Sequence, residues 1–176
     1  RPWFCPKHGE ALSHRVAKHI GKATERVRIA SPVLTSGPIL GTLVEVINEG
    51  RCPVVGIVDD TQVDQVFEQW RTNGVSDWKI PLLRRVLDGG DFSGKASVPW
   101  TPESVHDFMH AKIVVADDTT FLGSFNFSRS GERNAENVLE IEDAALADRL
   151  AAYVDEVRSL YPRFTPAREG SDPFTN

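Results

Sequence analysis

The stretch that decides the fold is HDFMHAKIVVADDTTFLGSFNFS, residues 106–128. Two patterns compete in it. The first five residues follow the His-Asp-x-x-His spacing of a zinc-binding helix. The remainder gives His-x-Lys, an apolar run, an Asp and then Gly-Ser-x-Asn. The two patterns need different local structures, a helix or a strand, so the flanking sequence must decide between them.

A zinc site of this kind needs His106 and His110 one helical turn apart. The neighbouring sequence opposes a helix there. Pro99 and Pro102 lie just upstream, and the β-branched run IVV follows at residues 113–115. The sequence offers no convincing third ligand. It therefore favours a strand, and we expect no metal site.

A strand places the side chains of His110 and Lys112 on one face, because side chains alternate along it. Ser124 and Asn126 have the same i, i+2 relation on the following strand, and Gly123 leaves room for a substrate near the backbone. An imidazole, an ammonium, a hydroxyl and an amide at one point suit a phosphoryl group. The last three would hold its non-bridging oxygens while the imidazole attacks phosphorus.

These residues resemble the signature of the phospholipase D superfamily, His-x-Lys-x-x-x-x-Asp followed by Gly-Ser-x-Asn. His110, Lys112 and Asp117 stand at the required spacing, and residues 123–126 supply the second element. The turn between the two elements is one residue shorter than is common in the family, a deletion that the Asp-Asp-Thr-Thr hairpin can absorb.

The resemblance extends beyond the signature. Residues 29–60 are similar to the family's first strand–helix–strand unit, so the likeness covers residues 10–160. It implies an enzyme most like the single-motif bacterial nucleases, or the C-terminal half of a member with two motifs. Glu136 matches an acidic residue that orients the catalytic histidine, while Asp117 is a weaker catalytic candidate. Thr35 and Ser36, after the first strand, are expected to line the substrate pocket.

Length and composition predict one globular domain with a core large enough to fold unaided. The chain has 176 residues, 40% of them hydrophobic, and a net charge of -5. We expect a folded domain at residues 1–161 and a flexible polar tail at 162–176. The first residue is Arg1 rather than Met, which fits a processed product or a piece of a longer protein. Cys5 and Cys52 are expected as free thiols, with a single bridge as the alternative.

Helical and strand patterns alternate along most of the chain. Helices are predicted at residues 10–24, 38–50, 61–74, 78–87 and 144–161. Strands are predicted at residues 26–33, 53–60, 111–117, 121–125 and 135–141, with a loop at 88–101. Strand–helix alternation followed by consecutive strands predicts an α/β fold, a layered mixed β-sheet flanked by helices.

One histidine cannot complete the reaction, because the departing alkoxide needs a proton that a second imidazole should donate. His14 and His19 have no lysine at the signature's spacing, and His106 has no Gly-Ser-x-Asn element of its own. The family's two arrangements are a homodimer and a longer chain with two motifs. We expect the homodimer, in which His110 faces its own copy across a two-fold axis.

The resemblance implies a phosphodiesterase that needs no cofactor, and three classes of function stay open. A nuclease is favoured by a basic cluster at residues 1–30, where seven basic residues stand against two acidic ones. A phospholipid-directed enzyme is the alternative, although the sequence shows no hydrophobic interfacial loop. The third class is a non-catalytic domain that binds phosphate groups. Without an apolar run long enough to span a bilayer, or a signal peptide, we expect a cytoplasmic protein.

Overall fold

The computed structural model describes residues 1–98 and 101–165. Its helices are α1 (Gly9–Lys22), α2 (Gly37–Glu49), α3 (Asp60–Asn73), α4 (Ile80–Gly89) and α5 (Ala144–Ser159), with a short 3-10 turn at Asp77–Lys79. Its strands are β1 (Pro2–Phe4), β2 (Val27–Ala30), β3 (Val54–Asp59), β4 (Asp91–Lys95), β5 (Ile113–Ala116), β6 (Thr119–Gly123) and β7 (Asn137–Glu142).

The strands form one mixed sheet in the order β1-β7-β6-β5-β2-β3-β4. The pairs β2–β3 and β3–β4 are parallel, and the other four pairs are antiparallel. The predicted α/β class, with a layered mixed sheet and flanking helices, is confirmed.

Two short strands at the sheet's edges were not predicted. β4 lies within residues 88–101, where we expected a loop, and its sequence DFSGK contains poor strand formers. Its conformation comes from parallel pairing with β3 and from the full burial of Phe92. β1 has three residues and pairs with β7 at the opposite edge.

Helices cover the sheet on both faces. Apolar residues of α1, α2, α3 and α4 join one large core cluster, which Ile29 of β2 also enters. The next residue, Ala30, points to the other face and contacts Val154 of α5 in a second cluster. Alternation along a strand therefore separates a four-helix layer from a one-helix layer.

A buried carboxylate fastens α1 and β1 to the sheet. Glu140 of β7 accepts a hydrogen bond from the Trp3 indole at 2.8 Å and from the Arg15 guanidinium at 2.5 Å.

Arg26 and Arg28 pair with carboxylates of α5, at 2.6 and 2.8 Å. Three cations of the basic cluster at residues 1–30 are thus occupied within the protein, which weakens the cluster as a surface for a polyanion.

The ordered chain continues past α5. The backbone N–H of Phe164 donates to Phe92 O at 2.8 Å, and the N–H of Gly94 donates to Pro162 O at 3.0 Å. Residues 162–164, expected in the flexible tail, therefore lie against β4, and the Phe164 side chain is buried. The rest of the expected tail, from residue 166, lies outside the described residues. None of the helices in the described ranges is both long and apolar enough to cross a bilayer.

Candidate active site

Four chain segments meet at one edge of the sheet. β2 and β3 are parallel, so their carboxyl ends lie at the same edge. β5 runs antiparallel to β2, with Ile113 opposite Ala30, which brings the residues before β5 to that edge. β6 ends there too, because Leu122 pairs with Ile113. In α/β sheets such an edge, where strand order reverses, is the usual place for a ligand.

Residues 105–112 have no helical structure. His106 and His110 therefore cannot form the one-turn pair of a zinc-binding helix. This agrees with the prediction that no helix forms here. Asp107, between them, accepts a hydrogen bond from the Val98 N–H at 3.0 Å and lies 3.4 Å from the Lys95 ammonium. Asp107, the acidic residue of the zinc-binding pattern, thus connects the segment before β5 to the end of β4 and the residues that follow it.

The imidazole of His110 is exposed at this edge and lines a cleft of about 480 Å³. Within the described part of the chain its ring makes no hydrogen bond. Partial burial, together with the nearby Lys112 charge, lowers the pKa of His110. A neutral imidazole at neutral pH is the form that a nucleophile requires.

Lys112 is a buried cation, with only 8% of its surface exposed. Its ammonium donates a hydrogen bond to the His110 carbonyl at 2.6 Å. Burial lowers the pKa of Lys112 to about 8, an effect that the Glu136 carboxylate partly opposes. The Lys112 ammonium thus lies against the backbone of His110, and the joint action of the two side chains on a phosphoryl group stays a prediction.

Asn126 forms another wall of the same cleft. Its side-chain Oδ1 is buried and has no hydrogen-bond partner among the described residues. Its carbonyl accepts a hydrogen bond from the Ser31 hydroxyl at 3.2 Å, which ties the segment to the end of β2. The amide of Asn126 is thus held at the cleft with polar atoms left for a ligand.

Sequence reasoning missed a residue that positions His110. Asp59, fully buried at the end of β3, accepts a hydrogen bond from the Met109 N–H at 3.0 Å. The same carboxylate accepts from the Ser97 hydroxyl at 2.8 Å and from the Gln62 N–H at 3.0 Å, where it caps α3. It thereby fixes the backbone directly before the histidine. The signal in the sequence was an acid at the end of a wholly apolar strand.

The cleft has further walls that the sequence did not reveal. The remaining lining residues are Pro32, Thr61, Gln62, Gln65 and Phe108. Three of these come from the first turns of α3, which follows β3 directly. The α3 residues give the cleft a wall with two amides and a hydroxyl. The ring of Phe108 adds a surface suited to stacking.

Two predicted substrate contacts are occupied elsewhere. The β5–β6 register places Lys112 opposite Gly123, the last residue of β6, and Ser124 follows outside the strand. The Ser124 hydroxyl accepts a hydrogen bond from the Asn137 N–H of β7 at 3.0 Å. A Cβ at Gly123 would lie 2.1 Å from the Asn137 carbonyl. The absence of a side chain at Gly123 therefore allows β6 and β7 to pack closely, and its role in admitting substrate stays a prediction.

Asp117 lies at the far end of β5, about 20 Å from His110 at the rise of an extended chain. Its carboxylate accepts hydrogen bonds from the N–H groups of Thr24, Glu25 and Arg26 at 3.0, 2.9 and 3.0 Å. Burial would raise its pKa, but these donors lower it below the ordinary value. This position contradicts a catalytic role, and the residue instead holds the loop between α1 and β2.

The remaining candidates are distributed around the edge. Glu136 is half-buried and acts electrostatically on Lys112, while no hydrogen bond joins it to His110 in the described ranges. Thr35 lines a second cavity on the other side of Asn126. Ser36 is fully buried, and its hydroxyl has no partner among the described residues. His19, on α1, lies 3.5 Å from Glu140 of β7.

Comparison with known proteins gives a family and a fold. Residues 16–158 match the family described as "Cardiolipin synthase, PLD-like domain". The search of curated proteins found no match. Among solved structures, Nuc from Salmonella typhimurium, a phospholipase D family member, is 18% identical with a TM-score of 0.67, over 95% of this chain and 97% of that one.

Two further structures have the same fold. NucT from Helicobacter pylori is 19% identical with a TM-score of 0.70, over 93% of this chain and 98% of that one. Phosphatidylserine synthase from Haemophilus influenzae is 16% identical with a TM-score of 0.63, over 96% of this chain but 40% of that one. The family match covers most of the chain, and the chain belongs to the phospholipase D superfamily.

Proposed function

We propose that this protein is a phosphodiesterase in which His110 attacks phosphorus and forms a phosphohistidine intermediate. One observation carries the proposal. An exposed imidazole, whose pKa is lowered by partial burial and by the charge of Lys112, opens on a cleft that the Asn126 amide also lines. Family membership agrees with this chemistry.

In the first step, the neutral His110 nitrogen forms a bond to phosphorus and the bond to the leaving oxygen breaks. The Lys112 ammonium offsets the negative charge that gathers on the non-bridging oxygens. The Asn126 amide donates a hydrogen bond to one of them. In the second step, water attacks phosphorus, the bond to the His110 nitrogen breaks, and the proton of the water passes to the group that protonated the leaving oxygen. The ammonium supplies the positive charge for both steps, so the reaction needs no metal ion.

The leaving oxygen needs a proton, which we assign to a second imidazole. His110 is exposed at the sheet's edge, so the matching residue of a second copy can face it across a two-fold axis. The sequence contains one complete signature, so we assign the second imidazole to a second copy of the chain. An N-terminal half of a longer protein is the alternative source of the second imidazole.

Nucleic acid is the substrate that the cleft favours. Gln62 and Gln65 offer amides that can hydrogen-bond to base edges, and Phe108 offers an aromatic surface for stacking. The names of Nuc and NucT point the same way, and a further match of the same fold is an archaeal chromatin protein, TrmBL2, whose title describes DNA binding.

A phospholipid-directed enzyme is the second candidate function. It is favoured by the description of the matching family and by the likeness to phosphatidylserine synthase. The side chains of Thr61, Gln62 and Gln65 in the cleft can hydrogen-bond to the polar groups of a nucleotide, so we rank this candidate below a nuclease. A non-catalytic phosphate-binding domain would not need an exposed, neutral imidazole.

An assay with EDTA separates these candidates. We expect the purified protein to cut single-stranded DNA or RNA in EDTA, and His110→Ala to remove the activity. Head-group release from phospholipid vesicles, with nucleic acid left intact, would favour the lipid enzyme. Cleavage that appears only after a divalent cation is added would contradict the mechanism. Binding of inorganic phosphate with no cleavage of either substrate would favour the non-catalytic domain.

A further inference from the structure

A second cavity of about 380 Å³ lies beside the candidate active site. It is lined by residues of α3, of the turn at Asp77–Lys79 and of the segment after β6. Its polar walls include the side chains of Thr35, Lys79, Ser128, Arg129 and Ser130. We call it the Lys79 pocket. The proposed chemistry uses none of these five residues.

Lys79 is a buried cation that forms no ion pair with the described residues. Only 7% of its surface is exposed, and its ammonium donates a hydrogen bond to the Thr35 carbonyl at 2.9 Å. It lies 5.7 and 5.5 Å from the ring centroids of Trp70 and Trp78. Within the described ranges no carboxylate reaches salt-bridge distance of it. Burying a charge is costly unless a partner offsets it, and the open cavity leaves room for an anion.

The pocket has a second cation. Arg129 is 57% exposed and pairs with the buried carboxylate of Glu132 at 2.8 Å. That carboxylate also acts electrostatically on Lys79, so the net charge of the pocket is smaller than its two cations suggest. One positive charge is left over, which matches a phosphodiester carrying one negative charge.

The two cavities adjoin at Asn126, which lines both of them. A ligand that fills the cleft at His110 can therefore continue past this side chain into the Lys79 pocket. The ligand must carry a further negative charge beyond the reacting phosphodiester. A polynucleotide has a phosphate at every residue and fits this requirement. The exposed indole of Trp78, beside Lys79, gives a neighbouring base a surface for stacking.

We propose that the Lys79 pocket binds the phosphate next to the scissile one in a single-stranded polynucleotide. This inference rests on the proposed function, whose substrate class it narrows to an extended chain of nucleotides. Asn126 then separates two phosphate sites. His110 and Lys112 act at the first, and Lys79 and Arg129 bind at the second.

Binding can be measured without turnover. A His110→Ala protein is titrated against a fluorescent single-stranded oligonucleotide at several salt concentrations, with fluorescence anisotropy as the readout. We expect Lys79→Met in this background to weaken binding about tenfold, the loss of one charge-assisted contact. The slope of log Kd against log salt should flatten by about 0.7, as one phosphate contact disappears. Affinity for a dinucleotide with one phosphate should not change.

Matched variants control for charge and for folding. Lys18→Met removes a lysine from the exposed side of α1 and should leave affinity and salt slope unchanged. Arg129→Gln alters an exposed side chain of the same pocket and should act in the same direction as Lys79→Met. It serves as the test if Lys79→Met does not fold.

Several results would overturn the inference. One is an unchanged affinity and salt slope in the pocket variants. A second is an equal loss of affinity for the dinucleotide and for the oligonucleotide. A third is Lys79-dependent binding to vesicles of anionic phospholipid in place of the oligonucleotide. Failure of the proposed function has a different signature. The wild-type protein would then cut no phosphodiester in EDTA, while the binding measurements would still decide the role of the pocket.

Discussion

His110 and Lys112 have opposite requirements for protonation. The imidazole must be neutral to attack phosphorus, and its pKa lies below the ordinary 6.5. The ammonium must stay charged to stabilise the phosphoryl oxygens, and its pKa is about 8. Activity should therefore rise as pH increases through the first pKa and fall as pH increases through the second.

This pH dependence can be isolated with a p-nitrophenyl phosphodiester, whose leaving group departs without needing a proton. We expect a bell-shaped profile of kcat/KM with its alkaline limb near pH 8. Lys112→Arg should lower the rate but move the alkaline limb well above this value, because a guanidinium keeps its proton. A wild-type rate that stays level through pH 8 would show that the charge of Lys112 is not required.

Asp59 should act on the reaction through the backbone at Met109. Asp59→Asn keeps the volume but weakens the acceptor that fixes the residue before His110. We expect kcat to fall about tenfold with KM little changed, since loss of a positioned hydrogen bond to a charged group costs about 1.5–3 kcal/mol. Both constants are obtained from steady-state kinetics.

Ser97→Ala is the matched control for Asp59. It removes another hydrogen bond to the same carboxylate and leaves the contact with Met109 in place. This variant should keep its kcat even if its thermal unfolding temperature falls. Equal effects of the two substitutions on kcat would assign Asp59 to stability alone.

The spacing in the sequence predicted His110, Lys112 and Asn126 as the core of the site, because these residues lie on one short stretch of chain. Asp59 and Lys79 come from distant segments, and a linear pattern does not show that the sheet brings them to the same edge. Ser124 was expected beside Lys112. It lies beyond the end of β6, where the alternation of a strand no longer fixes the direction of a side chain.

At the scale of secondary-structure elements, long helices and central strands were predicted well, since amphipathic and apolar periods identify them. β1 and β4 were missed for a physical reason. Both are short edge strands whose conformation depends on a partner strand from far along the chain. Because a loop was expected at residues 88–101, the burial of Phe92 was not predicted either.

The close approach of β6 and β7 gives an element-scale prediction. A methyl group at Gly123 would lie 2.1 Å from the Asn137 carbonyl, so the strands would have to separate. We expect Gly123→Ala to lower the free energy of unfolding by about 3 kcal/mol, in the range found for overpacking in a core. Chemical denaturation monitored by circular dichroism measures this change.

Gly41 supplies the comparison, because it lies within α2 and a Cβ there would have no neighbour within 4 Å. Gly41→Ala should raise stability by about 0.5–1 kcal/mol, as alanine restricts the unfolded chain and favours a helix. A Gly123→Ala protein as stable as the wild type would mean that β7 does not hold this end of β6 in place.

At the scale of the whole molecule, the proposed mechanism needs a second imidazole beside the one that this sheet presents. Strand order brings the ends of β2, β3 and β6 to the start of β5, and His110 is exposed there. The sequence contains one complete signature, so we propose that assembly supplies the second imidazole.

Subunit mixing tests the homodimer. Wild-type and His110→Asn proteins are exchanged in varying ratio at constant total concentration, and cleavage of a natural phosphodiester is measured. If both copies of His110 act in one site, activity should fall with the square of the wild-type fraction. A linear fall would show that each chain works alone. Sedimentation of the mixture checks that exchange is complete.

The claim on which the account depends is that His110 forms a covalent bond to phosphorus. Rapid mixing with substrate, followed by a neutral or alkaline quench and mass spectrometry of proteolytic fragments, tests it most directly. We predict a phosphoryl adduct on His110 in the wild-type protein, absent from His110→Asn and lost on acid treatment. Efficient turnover under the same conditions, with an unmodified His110 at every time point, would contradict the account.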